Sequence, residues 1–271
     1  MDLSAVTEVR HEPSMPEWRP GDAWLAGGTW LFSEPQPDVS RLIDLSAFGW
    51  PSLAIRADGL EIAATCTVAE LAALEHPPQW IGATLIRRCC EAFLASFKIW
   101  NVATVGGNIC TALPAGPMIA LAVALDGLCT IWGAGGAPRT LPARHLVTGP
   151  GLTALAEGEL LRSVHLPAAA LMAPVAFRQA SLRPLGRSAA LVIGRQEPRR
   201  LVLTVTAATS RPVLVELPRR PDAAQFRAAV EQAIPPELYH DDLHGDPDWR
   251  QHLTLTLAEE IRAELAGRPR P

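Results

Sequence analysis

Two pairs of adjacent glycines, each bordered by a hydroxyl, constrain this 271-residue chain more than any other feature. They lie in Leu25-Ala26-Gly27-Gly28-Thr29 and in Thr104-Val105-Gly106-Gly107-Asn108. Each stands where an apolar, strand-like run breaks into a tight turn. Without Cβ atoms the backbone can turn sharply and bring its N–H groups close to an anion. Taken alone, the first pair reads equally well as an ordinary turn. The second adds the Asn108 amide, able to donate or to cap, and the Thr104 hydroxyl at the loop entrance. Roughly 80 residues apart, the two could grip the halves of a pyrophosphate, which makes a dinucleotide cofactor the leading expectation. Neither loop holds a lysine or arginine, so binding there would rest on oriented dipoles.

The chain is long enough for one large domain or two of medium size. A formal charge of −4 removes the electrostatic case for nucleic acid. The arginines within 195–200 and 211–220 read as solvated strand edges. The longest apolar run, Met118 to Leu125, is too short for a membrane span. Met1-Asp2-Leu3-Ser4 lacks the basic-then-apolar order of a signal peptide. Five cysteines (66, 89, 90, 110 and 129) without C-x-x-C spacing read as reduced thiols, so a cytoplasmic location is expected, with no cluster or zinc on this chain.

Alternation and turn residues predict strands at Trp24–Ala26, Arg41–Leu45, Leu53–Arg56 and Leu60–Ala64, the last two joined by a hairpin at Asp58-Gly59. Thr67 and Glu70 form a capping box for a helix over Val68–Glu75, stopped by His76-Pro77-Pro78. Periodicity predicts one helix over Ile81–Phe97, with Leu85, Cys89, Phe93 and Phe97 on its buried face. A helix over Met118–Leu125 starts at Pro117, and Leu128–Trp132 follows as a strand. The composition changes at Pro167–Pro174, taken as a domain boundary. Beyond it, Val175–Ala180, Leu201–Ala207 and Arg211–Leu217 read as strands and Ser188–Ile193 as ambiguous, possibly helical. Ala223–Ala233 and Leu253–Ala266 read as amphipathic helices.

Other candidates carry less. Gly133–Pro138 lacks the third glycine of G-x-G-x-x-G and no helix follows, so it reads as a hairpin turn. His240-Asp241-Asp242-Leu243-His244 reads as a solvated loop rather than a metal site, and Cys89-Cys90 as buried helix residues. With one tyrosine, Tyr239, and no evident general base, nothing here is equipped for hydrolysis or proton abstraction.

Taken together, these residues resemble the flavin-binding subunit of the molybdenum hydroxylases, the xanthine dehydrogenase, aldehyde oxidoreductase and carbon monoxide dehydrogenase group, over nearly the whole chain. Ala26–Thr29 is similar to that family's first FAD loop, and Thr104–Asn108 to its T-[IV]-G-G-N loop. Ile99-Trp100-Asn101-Val102-Ala103 is similar to I-R-N-x-A, with Trp100 replacing arginine. Phe177–Ser181 through Ala190–Val192 resembles the start of the family's small C-terminal domain. Asp242–Gly245 with Trp249-Arg250 resembles its closing D-x-x-G-S…Y-R segment. Relatives commonly read S-P-x-x-D after the second loop. Here the stretch is Leu113-Pro114-Ala115-Gly116-Pro117, without the carboxylate that contacts the adenosine ribose. One such hydrogen bond is worth about 0.5–1.5 kcal/mol.

The resemblance implies an α+β fold, with a two-part FAD-binding domain of the PCMH and vanillyl-alcohol-oxidase-like type over residues 1–168. A small α+β C-terminal domain of the CO dehydrogenase flavoprotein type would follow over 172–271. It implies FAD held by Leu25, Ala26, Gly27, Gly28, Thr29, Trp30, Leu31, Leu94, Thr104, Gly106, Gly107, Asn108, Leu161 and Arg178, with no catalytic residue and no metal ligand on this chain. The isoalloxazine would face the cleft toward the C-terminal domain. Molybdopterin and [2Fe-2S] clusters would reside on partner chains, a large and a small subunit of a heterotrimer. The function implied is electron transfer from those clusters through FAD to NAD⁺, oxygen or another acceptor. Two alternatives stay open: a self-contained flavin oxidase of the vanillyl-alcohol oxidase type, and a flavin-free assembly subunit.

Overall fold

Three short parallel strands begin the fold in the computed structural model, which describes residues 3–133 and 137–267. They are β1 (Glu8–Arg10), β2 (Asp22–Leu25) and β3 (Arg41–Asp44), ordered β1-β3-β2. Arg41, only 5 % exposed, clamps this sheet: its Nε and Nη2 donate to the two Asp22 carboxylate oxygens at 2.7 and 2.5 Å. That clamp fixes the base of β2, from which the first glycine loop leaves.

Strands β4 (Leu53–Arg56) and β5 (Gly59–Ala63) form the expected hairpin, with Arg56 opposite Gly59. The Thr67–Glu70 capping box is present, but its helix α1 (Val68–Ala72) stops three residues short of the expected end. The single helix expected over 81–97 is two. Helix α2 (Thr84–Ala92) ends where Phe93 leaves helical geometry (φ −79°, ψ 82°), and Ser96 begins α3 (Phe97–Trp100). The Trp100 indole N–H donates to the Phe93 carbonyl at 3.1 Å, across the break. Phe97, expected in the core, is 73 % exposed.

Helices α4 (Val105–Cys110) and α5 (Pro117–Ala124) lead into β6 (Leu128–Trp132) and β7 (Arg139–Pro142), which pair antiparallel. The hairpin expected at 133–138 falls largely on residues outside those described. A small ladder, β8 (Val147–Gly149) with β9 (Leu152–Thr153), precedes β10 (Leu160–Pro167). Strand β10 is the centre of a five-stranded antiparallel sheet ordered β4-β5-β10-β6-β7.

After the short helix α6 (Ala168–Leu171) come β11 (Val175–Ala180), β12 (Ala190–Gln196), β13 (Arg200–Thr206) and β14 (Val213–Pro218), a four-stranded antiparallel meander. The ambiguous segment near 188–193 is therefore strand. Every residue of β12 is buried, because both faces of this sheet are covered. Leu191 and Ile193 join the core built on α5. Ala190 and Val192 join a second core with α7 (Ala223–Ala233) and α8 (Pro247–Ala266). A strand buried on both sides loses the period-2 signal. Helix α8 starts six residues before the expected Leu253, with Asp246 as N-cap and Pro247 in its first turn.

Arg195, expected at a solvated edge, is 3 % exposed and donates across the sheet to the Ala124 carbonyl and to Asp126 at the end of α5. Gly194 lies directly under α8, where a built Cβ would stand 2.3 Å from Ile261 Cγ2. Gly194→Ala is expected to lower stability by about 1–3 kcal/mol through overpacking, read as a lower denaturant midpoint.

Burial raises all five thiols above their ordinary pKa, Cys90, Cys110 and Cys129 to about 12. Each stays protonated at neutral pH, which suits packing and not nucleophilic or metal chemistry. Among the described residues, no helix is long and apolar enough to cross a membrane.

Candidate functional site

The first glycine loop follows from β2 and is shaped by close backbone contact. A Cβ built on Gly27 would sit 1.7 Å from the Val102 carbonyl oxygen, so only glycine lets the loop lie against the end of α3. Gly28 takes φ +69°, and a Cβ there would strike the Phe32 ring at 2.4 Å. The backbone N–H groups of Gly27, Gly28, Thr29, Trp30 and Leu31 make no hydrogen bond among the described residues, and neither does the Thr29 hydroxyl. Five consecutive N–H groups around a left-handed glycine are thus left without a partner among the described residues.

The second loop is built differently. Thr104, 6 % exposed, is the N-cap of α4, its Oγ1 accepting from Gly107 N at 3.0 Å. Val105 N donates to Cys66 O, Gly106 N to Ala64 O and Asn108 N to Thr104 O. The N–H groups of Val105, Gly106, Gly107 and Asn108 are therefore spent inside the protein, and the expectation of anion-binding amides from both loops is corrected for these four. Gly106 serves packing, since a Cβ there would lie 2.4 Å from Ala64 Cβ and 2.7 Å from its Cα. Gly107 is different. A Cβ there would meet only Thr104 Oγ1 at 2.9 Å and Ala26 Cβ at 4.0 Å, which brings the two loops side by side around open space.

Asn108 links this turn to α5. Gly116, the N-cap of α5, has no side chain to offer, and Asn108 Oδ1 accepts the Met118 N–H instead at 3.1 Å. Because Met118 N can only donate, the amide is oriented with Oδ1 inward. Its Nδ2 remains without a partner among the described residues, free to donate outward. Pro117 supplies neither a carboxylate nor an N–H at the position where the resemblance implies a ribose contact.

The remaining expected residues fall elsewhere. Leu161 is 2 % exposed, in the core beside α4. Leu94 and Arg178 together line a cleft of about 580 Å3 between α2 and β11, with Arg88 and Phe177 but without either glycine loop. Arg178 is ion-paired with Glu260 at 2.7 Å and Glu264 at 3.0 Å on α8, the Glu260 hydrogen bond chiefly raising its pKa. The segment from Leu94 to Val102 joins loop to cleft. Leu94, Phe97, Ile99 and Val102 stand exposed along it, and Trp30 on the loop is 45 % exposed. Phe97 is not among the expected site residues, because its helical spacing reads as core.

The C-terminal motif is structural. Arg250, 1 % exposed, donates to the Gly245, Ala189 and Ala207 carbonyls and to Asp242. Asp242 also accepts from His244 N. The His240–His244 segment thus carries the counter-ion of a buried arginine.

Comparison with known proteins agrees with this fold. A chain of carbon monoxide dehydrogenase from Hydrogenophaga pseudoflava superposes with a TM-score of 0.80 at 19% identity, covering 96% of both chains. A chain of quinoline 2-oxidoreductase from Pseudomonas putida 86 gives 0.76 at 18%, covering 96% of this chain and 95% of that one. At this identity they establish the shared fold. Xanthine dehydrogenase 1 of Arabidopsis thaliana is 30% identical over 141 residues, which is 48% of this chain and 10% of that protein. The rice xanthine dehydrogenase is 33% identical over 128 residues, 43% of this chain and 9% of that protein. The chain thus spans about a tenth of the length of these plant relatives. Residues 7–169 match the FAD binding domain in molybdopterin dehydrogenase, and the chain belongs to that family.

Proposed function

We propose that this chain is the FAD-carrying electron-transfer subunit of a multi-subunit molybdenum hydroxylase. The observation that carries the reading is the row of unspent N–H groups from Gly27 to Leu31, set beside the outward Asn108 Nδ2 across the Gly107 gap. That donor set suits a pyrophosphate, whose oxygens accept several hydrogen bonds at once.

In this reading the first loop holds the pyrophosphate through backbone dipoles, with Thr29 and Asn108 adding side-chain donors. Gly107 leaves the space the diphosphate fills. Thr104 and Gly106 act indirectly, by capping α4 and seating it against Ala64. Trp30, Leu94, Phe97 and Val102 offer apolar surface along which the isoalloxazine reaches the cleft holding Arg178. Leu161 supports α4 from below. FAD supplies the ability to take electrons singly and release them as a pair, and the chain's task is to place and tune it. Without a carboxylate at Pro117, the ribose end is held less firmly.

Iron–sulfur clusters and molybdopterin then reside on a small and a large partner chain. The final acceptor is NAD⁺, oxygen or another carrier. Purification of the tagged chain from its native cells is expected to bring down both partners, with molybdenum and iron detectable by elemental analysis. A chain that purifies alone, free of both metals, would contradict the complex.

A further inference from the structure

The space between α2 and β11 has a second, larger lobe. It measures about 630 Å3 and is lined by α1, α2 and β11, with Arg88, Glu91, Phe177 and Arg178 shared with the smaller lobe described above. Neither glycine loop reaches it, and it adjoins the cleft given above to the isoalloxazine. Small-molecule sites have volumes of roughly 300–1,000 Å3 and favour such inter-element clefts.

Its three arginines differ in their partners. Arg87 is paired with Glu91 at 2.9 Å, and Arg178 with Glu260 and Glu264. Arg88 makes no hydrogen bond or ion pair among the described residues, and its guanidinium lies over the Phe177 ring, 5.1 Å from the centroid. One face is thus covered while the edge, with its fork of N–H donors, stays open. The lobe walls behind it are apolar, among them Leu74, Leu85, Ile86 and Val175.

We propose that the larger lobe is a binding site for an aromatic monocarboxylate, held by the Arg88 fork with its ring against the apolar wall. A planar carboxylate matches the guanidinium edge with two parallel hydrogen bonds. Arg88 offers a single guanidinium fork, and the carboxylates of Glu91 and Glu264 on the same lobe disfavour a phosphate dianion. Thr84 stands at the lobe and can be enlarged to close it.

Calorimetric titration of the full, FAD-loaded chain tests this with benzoate, benzyl alcohol and inorganic phosphate as probes. Benzoate should bind at a single site, about tenfold or more tighter than either alternative. Arg88→Gln should weaken benzoate about tenfold and Arg88→Lys less, while Thr84→Trp, outside the flavin cleft, should abolish it with unchanged FAD content. Benzoate binding no tighter than benzyl alcohol or phosphate would overturn the proposal. So would wild-type affinity in Arg88→Gln or Thr84→Trp. Because flavin content is read in the same samples, loss of benzoate binding is distinguished from loss of FAD.

Discussion

Gly107→Val is expected to strip FAD from the chain while leaving the fold in place. The new side chain would enter the gap between the loops, where only Thr104 Oγ1 at 2.9 Å and Ala26 Cβ at 4.0 Å bound it. The structural cost is confined to a crowded N-cap, worth about 1 kcal/mol. The functional cost is the volume the diphosphate needs, and FAD affinity should fall about a hundredfold or more. Gly106→Val is the contrasting case. Its Cβ would collide with the Ala64 backbone, at 2.7 Å from Cα and 2.8 Å from the carbonyl oxygen, so the fold itself should weaken by roughly 3 kcal/mol or more. Flavin absorbance and a thermal melt on both variants separate the two roles. Retained FAD in Gly107→Val would contradict the gap as its seat.

Arg250→Met should be the most destabilising single change in the C-terminal part. It removes donors from three buried carbonyls and leaves Asp242 without its guanidinium partner. Breaking a buried pair by deleting one member costs about 3–5 kcal/mol, which corresponds to a drop of roughly 10 °C in melting temperature at this size. The damage extends beyond the motif. Ala207, whose carbonyl Arg250 holds, donates its N–H to Pro114 at 2.8 Å and so anchors the turn between α4 and α5. A melt within a degree or two of wild type would refute this role.

Acid should act on the same clusters. Burial alone would raise the Asp242 pKa, but the His244 N–H, Arg250 and His240 outweigh it, and the carboxyl lies below its ordinary 3.8. At Asp22 the Arg41 hydrogen bond is the largest influence and likewise lowers it. Groups with depressed folded pKa contribute stability that is complete above the unfolded value and lost as pH falls through the folded one. Stability is therefore expected to hold above about pH 4 and to fall below it, as a denaturant series across that range would show.

Local chemistry was legible in the sequence wherever one or two neighbouring residues decide the backbone. The Thr67–Glu70 capping box, the Asp58-Gly59 hairpin and the helix at Ala223–Ala233 form as read. Non-local contacts were not legible. The break between α2 and α3 depends on Trp100 reaching back to Phe93, which apolar spacing cannot reveal. Strand β10 went unread, because its register is set by partners about a hundred residues earlier and about thirty earlier. Arg195 and Arg250 are buried charged residues whose partners include carbonyls far away in the chain, Ala124 for the first and Ala189 and Ala207 for the second. The same limit applies at the site. The glycine pairs look alike in sequence, yet one leaves its amides open and the other spends them on Cys66, Ala64 and Thr104.

The central claim is that the chain grips FAD by its pyrophosphate through the first loop. Titrating the flavin-depleted chain with FAD, ADP and riboflavin, followed by flavin fluorescence and calorimetry, tests it most directly. The account predicts one FAD per chain, measurable binding of ADP, and riboflavin weaker than FAD by about a hundredfold or more. Riboflavin binding as tightly as FAD, or no binding of FAD at all, would contradict it.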